Sequence, residues 1–347
     1  MMDIAKARLL ILSDGRTGGE NQSLGVAEML GFKDPEVITL RPTFRNAILR
    51  KLAGLLPVSV AYQDFDGLLK HLRTVDVLMG AGYGTSRVLR ACKAAAPNLF
   101  TIALMRPAGG AKPYDVVAIP RHDNPPQAEN VIATLGNCNR ITRDNLAREA
   151  DRWRVRLQHV RGFRMAVMVG GTSRHAPFSP ADATQLIDTL AKTLKAQASN
   201  GAGLLVTASR RSGPAVVAAL ERALTRAEKK HGLTTSFWTP GNPDQRDNPY
   251  LAYLALADAV LVTADSSSMV SEAATAGKPV YIWGERARMP KKFRAFYDML
   301  AGQGRLRWWN GQLNLRPPAA PLLDTLLVAG FIRARWQKRF GGGKTAA

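Results

Sequence analysis

The chain has 347 residues, more than one hydrophobic core usually serves, so its length predicts two domains. A net charge of +21 favours an anionic partner (nucleic acid, a membrane surface or a phosphorylated ligand), although it also fits a well-solvated basic surface. Two cysteines do not make a disulfide framework, and nothing approaches the roughly 18 consecutive apolar residues of a spanning helix, so secreted disulfide-rich and membrane-spanning classes are excluded.

The first residues, MMDIAKARLLILSDG, contain an apolar run that is too short for a signal peptide. Together with the cysteine content, which favours a reducing compartment, this predicts a cytoplasmic protein that is either soluble or peripheral on the inner membrane.

Short apolar runs alternate with helical patterns along the whole chain, and most runs are continuous, as in strands that are covered on both faces. The predicted strands are residues 8–12, 36–40, 75–79, 99–104, 116–119, 165–169, 204–207, 259–262 and 280–283. Helical patterns fill the stretches between them, for example residues 22–30, 181–198 and 214–231. This alternation predicts an α/β fold with doubly wound parallel sheets.

A polar, Arg-rich helical stretch at residues 142–162 has no strand character and marks the predicted domain boundary, near Val160. The expected division is an N-terminal domain over residues 1–155, a C-terminal domain over 160–330 and a basic tail over 331–347. Both halves open with a strand, a glycine-containing loop and a helix. Two Rossmann-like domains facing a cleft are therefore expected, with the cleft as the natural binding site.

The first loop with ligand-binding character is VGGTSRH, which follows the strand at residues 165–169. Gly170 and Gly171 permit close approach of the backbone, Thr172 and Ser173 offer hydroxyls, and Arg174 is suited to neutralise a phosphate. Because parallel sheets bind ligands at the carboxyl ends of their strands, these residues are candidate phosphate ligands.

The second such loop is VTASRRSGPA, in which Ser209, Arg210 and Arg211 precede a helix that begins at Pro214. Two adjacent arginines at a helix N-terminus suit a diphosphate. The same residues fit two solvated arginines beside a capping serine equally well.

The third loop is ADSSS, where Asp265 and the three serines at residues 266–268 are expected to cap a helix and present N–H groups. Glu272 falls six or seven residues into the helical pattern, among Ala and Ser neighbours that let another group approach. A carboxylate there is able to accept hydrogen bonds from a ribose diol, but its spacing alone fits a surface glutamate as well.

The block NPYLAYLALADAVLVTADSSSMVSEAATAGKPVYIW resembles the nucleotide-binding segment of GT-B glycosyltransferases, and VGGTSR resembles their phosphate loop. In those enzymes a strand ends in a Ser/Gly turn, a helix carries a Glu, and Gly-Lys-Pro leads into the next strand. The resemblance implies that Glu272 holds the ribose of a nucleotide-sugar. It also implies that the diphosphate is held by the backbone of Ser266, Ser267 and Ser268 and by that of residues 170–172.

Five blocks spread over nearly the whole chain resemble the mitochondrial-fission Elm-like family: DGRTGGENQSLGVAEML, PxHD at residues 120–123, VGGTSRH, SRRSGP and ADSSSMVSEAATAGKPVY. Bacterial members of that family are often described as nucleoside-diphosphate-sugar epimerases. The residues do not support that activity, because the first βα turn reads DGRTGGE instead of G-x-G-x-x-G and the Tyr-x-x-x-Lys pair is missing. The family name implies an alternative function, that of a non-catalytic peripheral membrane adaptor.

If the transfer inverts the configuration of the sugar, a GT-B glycosyltransferase needs a base for the acceptor hydroxyl, and in such enzymes the first domain is usually the acceptor side. Asp14, directly after the first strand, and His122, in the PxHD block, are the candidate catalytic residues. Asp14 also fits an ordinary turn residue before Gly15, and His122 also fits a structural role. No His/Cys/Asp cluster has ligand spacing, so neither a metal nor a resident cofactor is expected, and the nucleotide-sugar is the co-substrate.

Residues 41–60, RPTFRNAILRKLAGLLPVSV, carry four positive charges, no acidic residue and an apolar helical stripe. This composition is typical of an interfacial segment on anionic lipid, and it also fits an amphipathic helix packed on a sheet. A second basic region spans residues 286–307 and is followed by Trp308 and Trp309. Because no nucleic-acid-binding module is recognisable, a membrane surface with a lipid-linked acceptor is the preferred partner and nucleic acid is not expected.

Overall fold

A computed structural model describes residues 3–44, 56–172, 177–242, 247–316 and 320–341. The chain forms two compact units, the first comprising residues 1–140 and 323–347 and the second residues 141–322. Each unit holds one six-stranded parallel sheet with helices packed on it. The predicted fold class, two doubly wound Rossmann-like α/β domains, is therefore confirmed.

The strands are β1 Leu9–Ser13, β2 Glu36–Thr39, β3 Val77–Ala81, β4 Phe100–Leu104, β5 Val116–Pro120, β6 Val131–Thr134, β7 Phe163–Val169, β8 Ala202–Ala208, β9 Thr234–Trp238, β10 Ala259–Thr263, β11 Val280–Trp283 and β12 Arg307–Trp308. The α-helices are α1 Thr17–Leu30, α2 Val58–Ala61, α3 Phe65–His71, α4 Tyr83–Ala95, α5 Arg143–Arg154, α6 Pro180–Gln197, α7 Pro214–His231, α8 Tyr250–Leu256, α9 Ser267–Thr275, α10 Lys291–Gly302 and α11 Asp324–Phe340.

The sheet of the first unit has the order β2-β1-β3-β4-β5-β6, with every pair parallel. Its four central strands, β1, β3, β4 and β5, are buried along their whole length, because helices cover both faces. This double burial explains why their sequences are continuous apolar runs instead of alternating ones.

Helix α11 lies at the C-terminal end of the chain but belongs to the first unit. The buried carboxylate of Asp324 accepts hydrogen bonds from the backbone N–H groups of Leu135 and Gly136, both at 2.8 Å. Further along the helix, Trp336 packs edge-on against Phe100 with ring centroids 5.2 Å apart. Most of the predicted basic tail is therefore part of a packed helix, whereas residues 342–347 lie outside the described part of the chain.

The division between the units also differs from the predicted boundary near Val160. The polar stretch at that boundary contains α5, which begins at a Thr142 capping box and packs against α8 in the second unit. The second unit therefore begins at Ile141, ahead of this helix.

The sheet of the second unit has the order β12-β11-β10-β7-β8-β9, again with all pairs parallel. After β7 the chain builds β8 and β9 on one side and then returns to place β10 on the other side. The carboxyl ends of β7 and β10 therefore form a topological switch point, which is where open α/β sheets bind their ligands.

Three strands are absent from the predicted set, namely β6, β9 and β12. All three lie at an edge of their sheet, and none is a fully buried apolar run.

Residues 45–55 of the basic stretch at 41–60 lie outside the described residues, so its interfacial character stays a prediction. Within the described ranges, no helix combines the length and apolarity needed to cross a bilayer.

Candidate functional site

The loop after β7 is tied to the end of β10 at the switch point of the second unit. The backbone N–H of Gly170 donates to Thr263 Oγ1 at 2.8 Å, and the same hydroxyl donates to Asp265 Oδ1 at 2.6 Å. A Cβ atom on Gly170 would lie 2.3 Å from Asp265 Oδ2. The absence of a side chain at Gly170 is therefore required by the neighbouring carboxylate.

The loop after β8 interlocks with the same segment. Ser209 Oγ donates to the carbonyl of Gly170, and the backbone N–H of Thr172 donates to the carbonyl of Arg211 at 3.3 Å. Gly171 has φ +87°, and a Cβ there would lie 2.6 Å from the backbone of Arg211. Both glycines thus serve the packing of the three loops, whether or not a phosphate also approaches them.

An ion pair joins the loops after β8 and β10. Arg211 Nη2 lies 2.8 Å from Asp265 Oδ2, and the Asp265 side chain is 2% exposed whereas that of Arg211 is 41% exposed. Burial raises the pKa of Asp265 to about 6, and the Arg211 guanidinium opposes that rise. Since Arg211 already faces a carboxylate, the exposed side chain of Arg210 is the better placed of the two arginines to meet an anionic ligand.

Helix α9 begins at this point, with Ser266 as its N-cap. The Ser266 hydroxyl accepts a hydrogen bond from the backbone N–H of Met269 at 3.4 Å, so the capping prediction is confirmed for this residue. It is wrong for Asp265, whose carboxylate faces Thr263 and Arg211 instead. Ser267 and Ser268 form the first turn of α9, whose N–H groups and dipole favour an anion.

Glu272 lies on α9, about 8 Å along the helix axis from Ser267. Its Oε2 atom accepts a hydrogen bond from the hydroxyl of Tyr250 at 2.5 Å, and burial raises the pKa of its carboxyl to about 7. The desolvating surroundings and the nearby Glu272 carboxylate also raise the pKa of Tyr250 well above its usual value. Glu272 is therefore not a solvated surface glutamate, which was the alternative from its spacing.

The structure thus brings most of the predicted binding residues of the second unit together at one sheet edge. Direct contacts join Gly170, Gly171, Thr172, Ser209, Arg211 and Asp265. Ser173 and Arg174 lie outside the described residues, so their predicted roles stay predictions. In the described ranges, no group of three or more His, Cys, Asp or Glu side chains is arranged to hold a metal ion.

The two candidate catalytic residues lie in the first unit and are not neighbours. Asp14 follows β1 and His122 follows β5, and because β3 and β4 lie between those strands, the two residues are separated by about 14 Å or more. Asp14 Oδ1 accepts from the backbone N–H of Arg16 at 3.1 Å, and its side chain is 27% exposed. The His122 side chain is only 4% exposed and lies 4.0 Å from the Asp123 carboxylate.

Two residues that support this site were not identified from the sequence, namely Tyr250 and Tyr297. The Tyr297 hydroxyl donates to the carbonyl of Ala264 at 2.8 Å and so fixes the backbone at the start of the loop after β10. Tyr250 lies in the NPYLAY block at the start of a helix, and this aromatic residue was the signal that could have identified it as part of the site. Neither pairing follows from local sequence, because each joins two different elements of the folded unit.

Comparisons with known proteins agree with this architecture. The chain is similar to Mitochondrial fission protein ELM1 from Arabidopsis thaliana, at 24% identity over 94% of this chain and 90% of the relative. It is similar at 24% identity to Uncharacterized protein RP120 from Rickettsia prowazekii (strain Madrid E), over 93% of this chain and 97% of that protein. Among solved structures, Os79 from O. sativa in complex with UDP matches with a TM-score of 0.52 and 13% identity.

That match covers 95% of this chain and 92% of the Os79 chain, so the likeness in fold extends over both units. The predicted GT-B-like architecture is confirmed at the level of fold. The family described as Mitochondrial fission ELM1 matches residues 17–336, which is most of the sequence. The chain therefore belongs to the Mitochondrial fission ELM1 family.

Proposed function

We propose that the protein is a nucleotide-sugar-dependent glycosyltransferase of the GT-B type that works without a bound metal ion. The observation that carries this proposal is the convergence of three loops at the switch point of the second sheet, beside a helix with a partly buried carboxylate. The UDP bound in the structurally similar Os79 supports a uridine nucleotide as the first ligand to test.

In this proposal the diphosphate binds to the N-terminus of α9 and to the loops after β7 and β8. Ser266, Ser267 and Ser268 supply N–H and hydroxyl donors, and Arg210 supplies a positive charge, while Arg211 keeps Asp265 in place. Glu272 accepts hydrogen bonds from the ribose hydroxyls. Donors fixed in this way stabilise the negative charge that develops on the diphosphate as it leaves.

Transfer breaks the bond between the sugar's anomeric carbon and the diphosphate oxygen and forms a bond to an acceptor oxygen. A base accepts the proton of the acceptor hydroxyl, and the nucleoside diphosphate departs with the bonding electrons. Asp14 is the better candidate for this base, because its carboxylate is partly exposed whereas the His122 side chain is almost fully buried. His122 is then the second choice.

The proposed setting is the cytoplasmic face of the inner membrane, with a lipid-linked acceptor. The net charge of +21 supports attraction to anionic lipid headgroups. Liposome sedimentation with and without phosphatidylglycerol tests this part separately, and binding that does not depend on the anionic lipid would contradict it.

The donor site is tested by thermal unfolding in the presence of ADP, CDP, GDP, UDP and their common sugar conjugates. A ligand at 100 times its dissociation constant stabilises the folded state by about 2.7 kcal/mol. We expect one base to stabilise the wild type and the effect to be lost in Glu272→Ala but kept in Glu221→Ala, a matched change at an exposed glutamate on α7. Absence of stabilisation by every ligand at saturating concentration would overturn the proposal.

A further inference from the structure

The carboxylate of Glu272 is only partly satisfied by the protein. In the described part of the chain, the hydroxyl of Tyr250 is the one group that hydrogen-bonds to it, at 2.5 Å from Oε2. An ionised carboxylate accepts about four hydrogen bonds, so the partly exposed Glu272 side chain has acceptor capacity that the Tyr250 hydroxyl does not use. The arrangement therefore points to a further donor that is supplied by a ligand.

Tyr250 is itself held in a fixed position at the start of α8. The backbone N–H of Tyr250 donates to Asn248 Oδ1 at 3.0 Å, and one turn further on the buried Tyr253 hydroxyl lies 2.8 Å from the hydroxyl of Ser236. The helix is thus attached to the sheet by Tyr253, which leaves the hydroxyl of Tyr250 to fix the Glu272 side chain.

The segment that leads into α8 is anchored as well. Asp247 lies 2.8 Å from Arg152 and 3.1 Å from Arg156, and these guanidinium groups, with the Arg156 hydrogen bond as the largest cause, lower the pKa of Asp247. These are exposed ion pairs of modest energy, so we regard them as orienting contacts.

We propose that Tyr250 is a positioning residue of the nucleotide site: it holds one carboxylate oxygen of Glu272 so that the other accepts hydrogen bonds from a ribose diol, and it thereby sets a preference for ribonucleotides over 2′-deoxyribonucleotides. This inference rests on the proposed function. It adds to that function a preference for ribonucleotides, which depends on Tyr250, a residue on a different helix from Glu272.

A purely structural Tyr250 makes a different prediction. If the phenol only packs the unit, its removal weakens ribonucleotide and 2′-deoxyribonucleotide binding by the same factor. If it positions the carboxylate, removal weakens ribonucleotide binding selectively, because a site built to pair with a hydroxyl discriminates strongly against ligands that lack it.

The experiment measures dissociation constants by isothermal titration for ADP, CDP, GDP and UDP and for the four 2′-deoxy forms. For the base that binds, we expect wild type to prefer the ribonucleotide by about tenfold, since a hydrogen bond to a charged group contributes that much. Tyr250→Phe should reduce the preference to about twofold. Tyr253→Phe is the matched control, because it removes a phenol from the same helix without touching Glu272, and it should keep the wild-type preference.

A second variant guards against misfolding of Tyr250→Phe. Tyr250→His retains a ring donor and should restore part of the preference. An unchanged preference in both Tyr250 variants would overturn this inference while leaving the donor site in place. If wild type binds none of the eight nucleotides, the proposed function itself fails and the inference with it.

Discussion

Arg211 Nη2 and Asp265 Oδ2 lie 2.8 Å apart and join the loops that follow β8 and β10. The carboxylate is almost fully buried, whereas the guanidinium reaches the surface. Because removal of the cation would leave a buried charge without its partner, Arg211→Ala should lower the free energy of unfolding by about 2 kcal/mol.

Urea unfolding followed by circular dichroism measures that loss. Arg210→Ala is the matched control, since the neighbouring arginine is exposed, and it should change stability by less than about 0.5 kcal/mol. Equal effects of the two substitutions would show that the ion pair does not hold the loops together.

The two acids of the site with raised pKa values, Asp265 and Glu272, should make the protein less stable as the pH rises from about 5 to about 8. Burial raises the pKa of Glu272 from 4.5 to about 7 and that of Asp265 from 3.8 to about 6, so the folded state retains protons that the unfolded chain releases. The free energy of unfolding therefore falls with increasing pH in this range.

Glu272→Gln tests this pH dependence, because it removes the carboxyl group with the higher of the two raised pKa values. The variant should gain about 2 kcal/mol over wild type at pH 8 and very little at pH 5. Glu221→Gln should keep the wild-type slope. A Glu272→Gln variant with an unchanged slope between pH 5 and pH 8 would refute the assignment of a raised pKa to this carboxyl.

Gly171 should tolerate no side chain. Its φ of +87° disfavours other residues, and a Cβ would lie 2.6 Å from the backbone of Arg211, which is too close for a real contact. We expect Gly171→Ala to destabilise the fold by about 3 kcal/mol or more. In contrast Gly330→Ala, within α11 and with open space around its Cβ position, should stabilise by up to about 1 kcal/mol.

Asp324 should be essential for the attachment of α11 to the first unit. Asp324→Ala leaves the backbone N–H groups of Leu135 and Gly136 without their acceptor in a buried place, and we expect a loss of about 2–4 kcal/mol. Asp324→Asn keeps one acceptor oxygen and should lose less. Urea unfolding followed by circular dichroism measures both losses, and equal stability of wild type and Asp324→Ala would contradict this role.

Much of the fold could be predicted because the central strands are covered on both faces. Nine apolar runs predict strands, and each of them corresponds to a strand of the structure. The missed strands β6, β9 and β12 lie at sheet edges, where partial exposure permits residues such as Thr234, Ser236 and Arg307. Continuous hydrophobicity indicates central strands. Of the edge strands, β2 is still predicted, whereas β6, β9 and β12 lack that signal.

The location of the candidate site could be predicted, but its internal contacts could not. The loops at residues 170–172, 209–212 and 265–268 are recognisable because they follow strands, and parallel topology brings such loops to one edge. The pairing of Arg211 with Asp265 depends on the order of β8, β7 and β10 within the sheet. The order of strands in a sheet cannot be read from the local sequence. The sequence pattern therefore assigns both residues to a ligand, whereas the structure shows that they form an ion pair with each other.

The central claim, a nucleotide site at this edge of the second sheet, is tested most directly by amide hydrogen exchange with and without UDP at saturating concentration. For the nucleoside diphosphate that stabilises the protein most in thermal unfolding, with UDP tested first, we predict slower exchange in peptides that cover residues 170–172, 209–213 and 265–272, with no comparable change elsewhere in the second unit. Slower exchange confined to other segments, or an unchanged pattern with each of ADP, CDP, GDP and UDP at saturating concentration, would contradict the account.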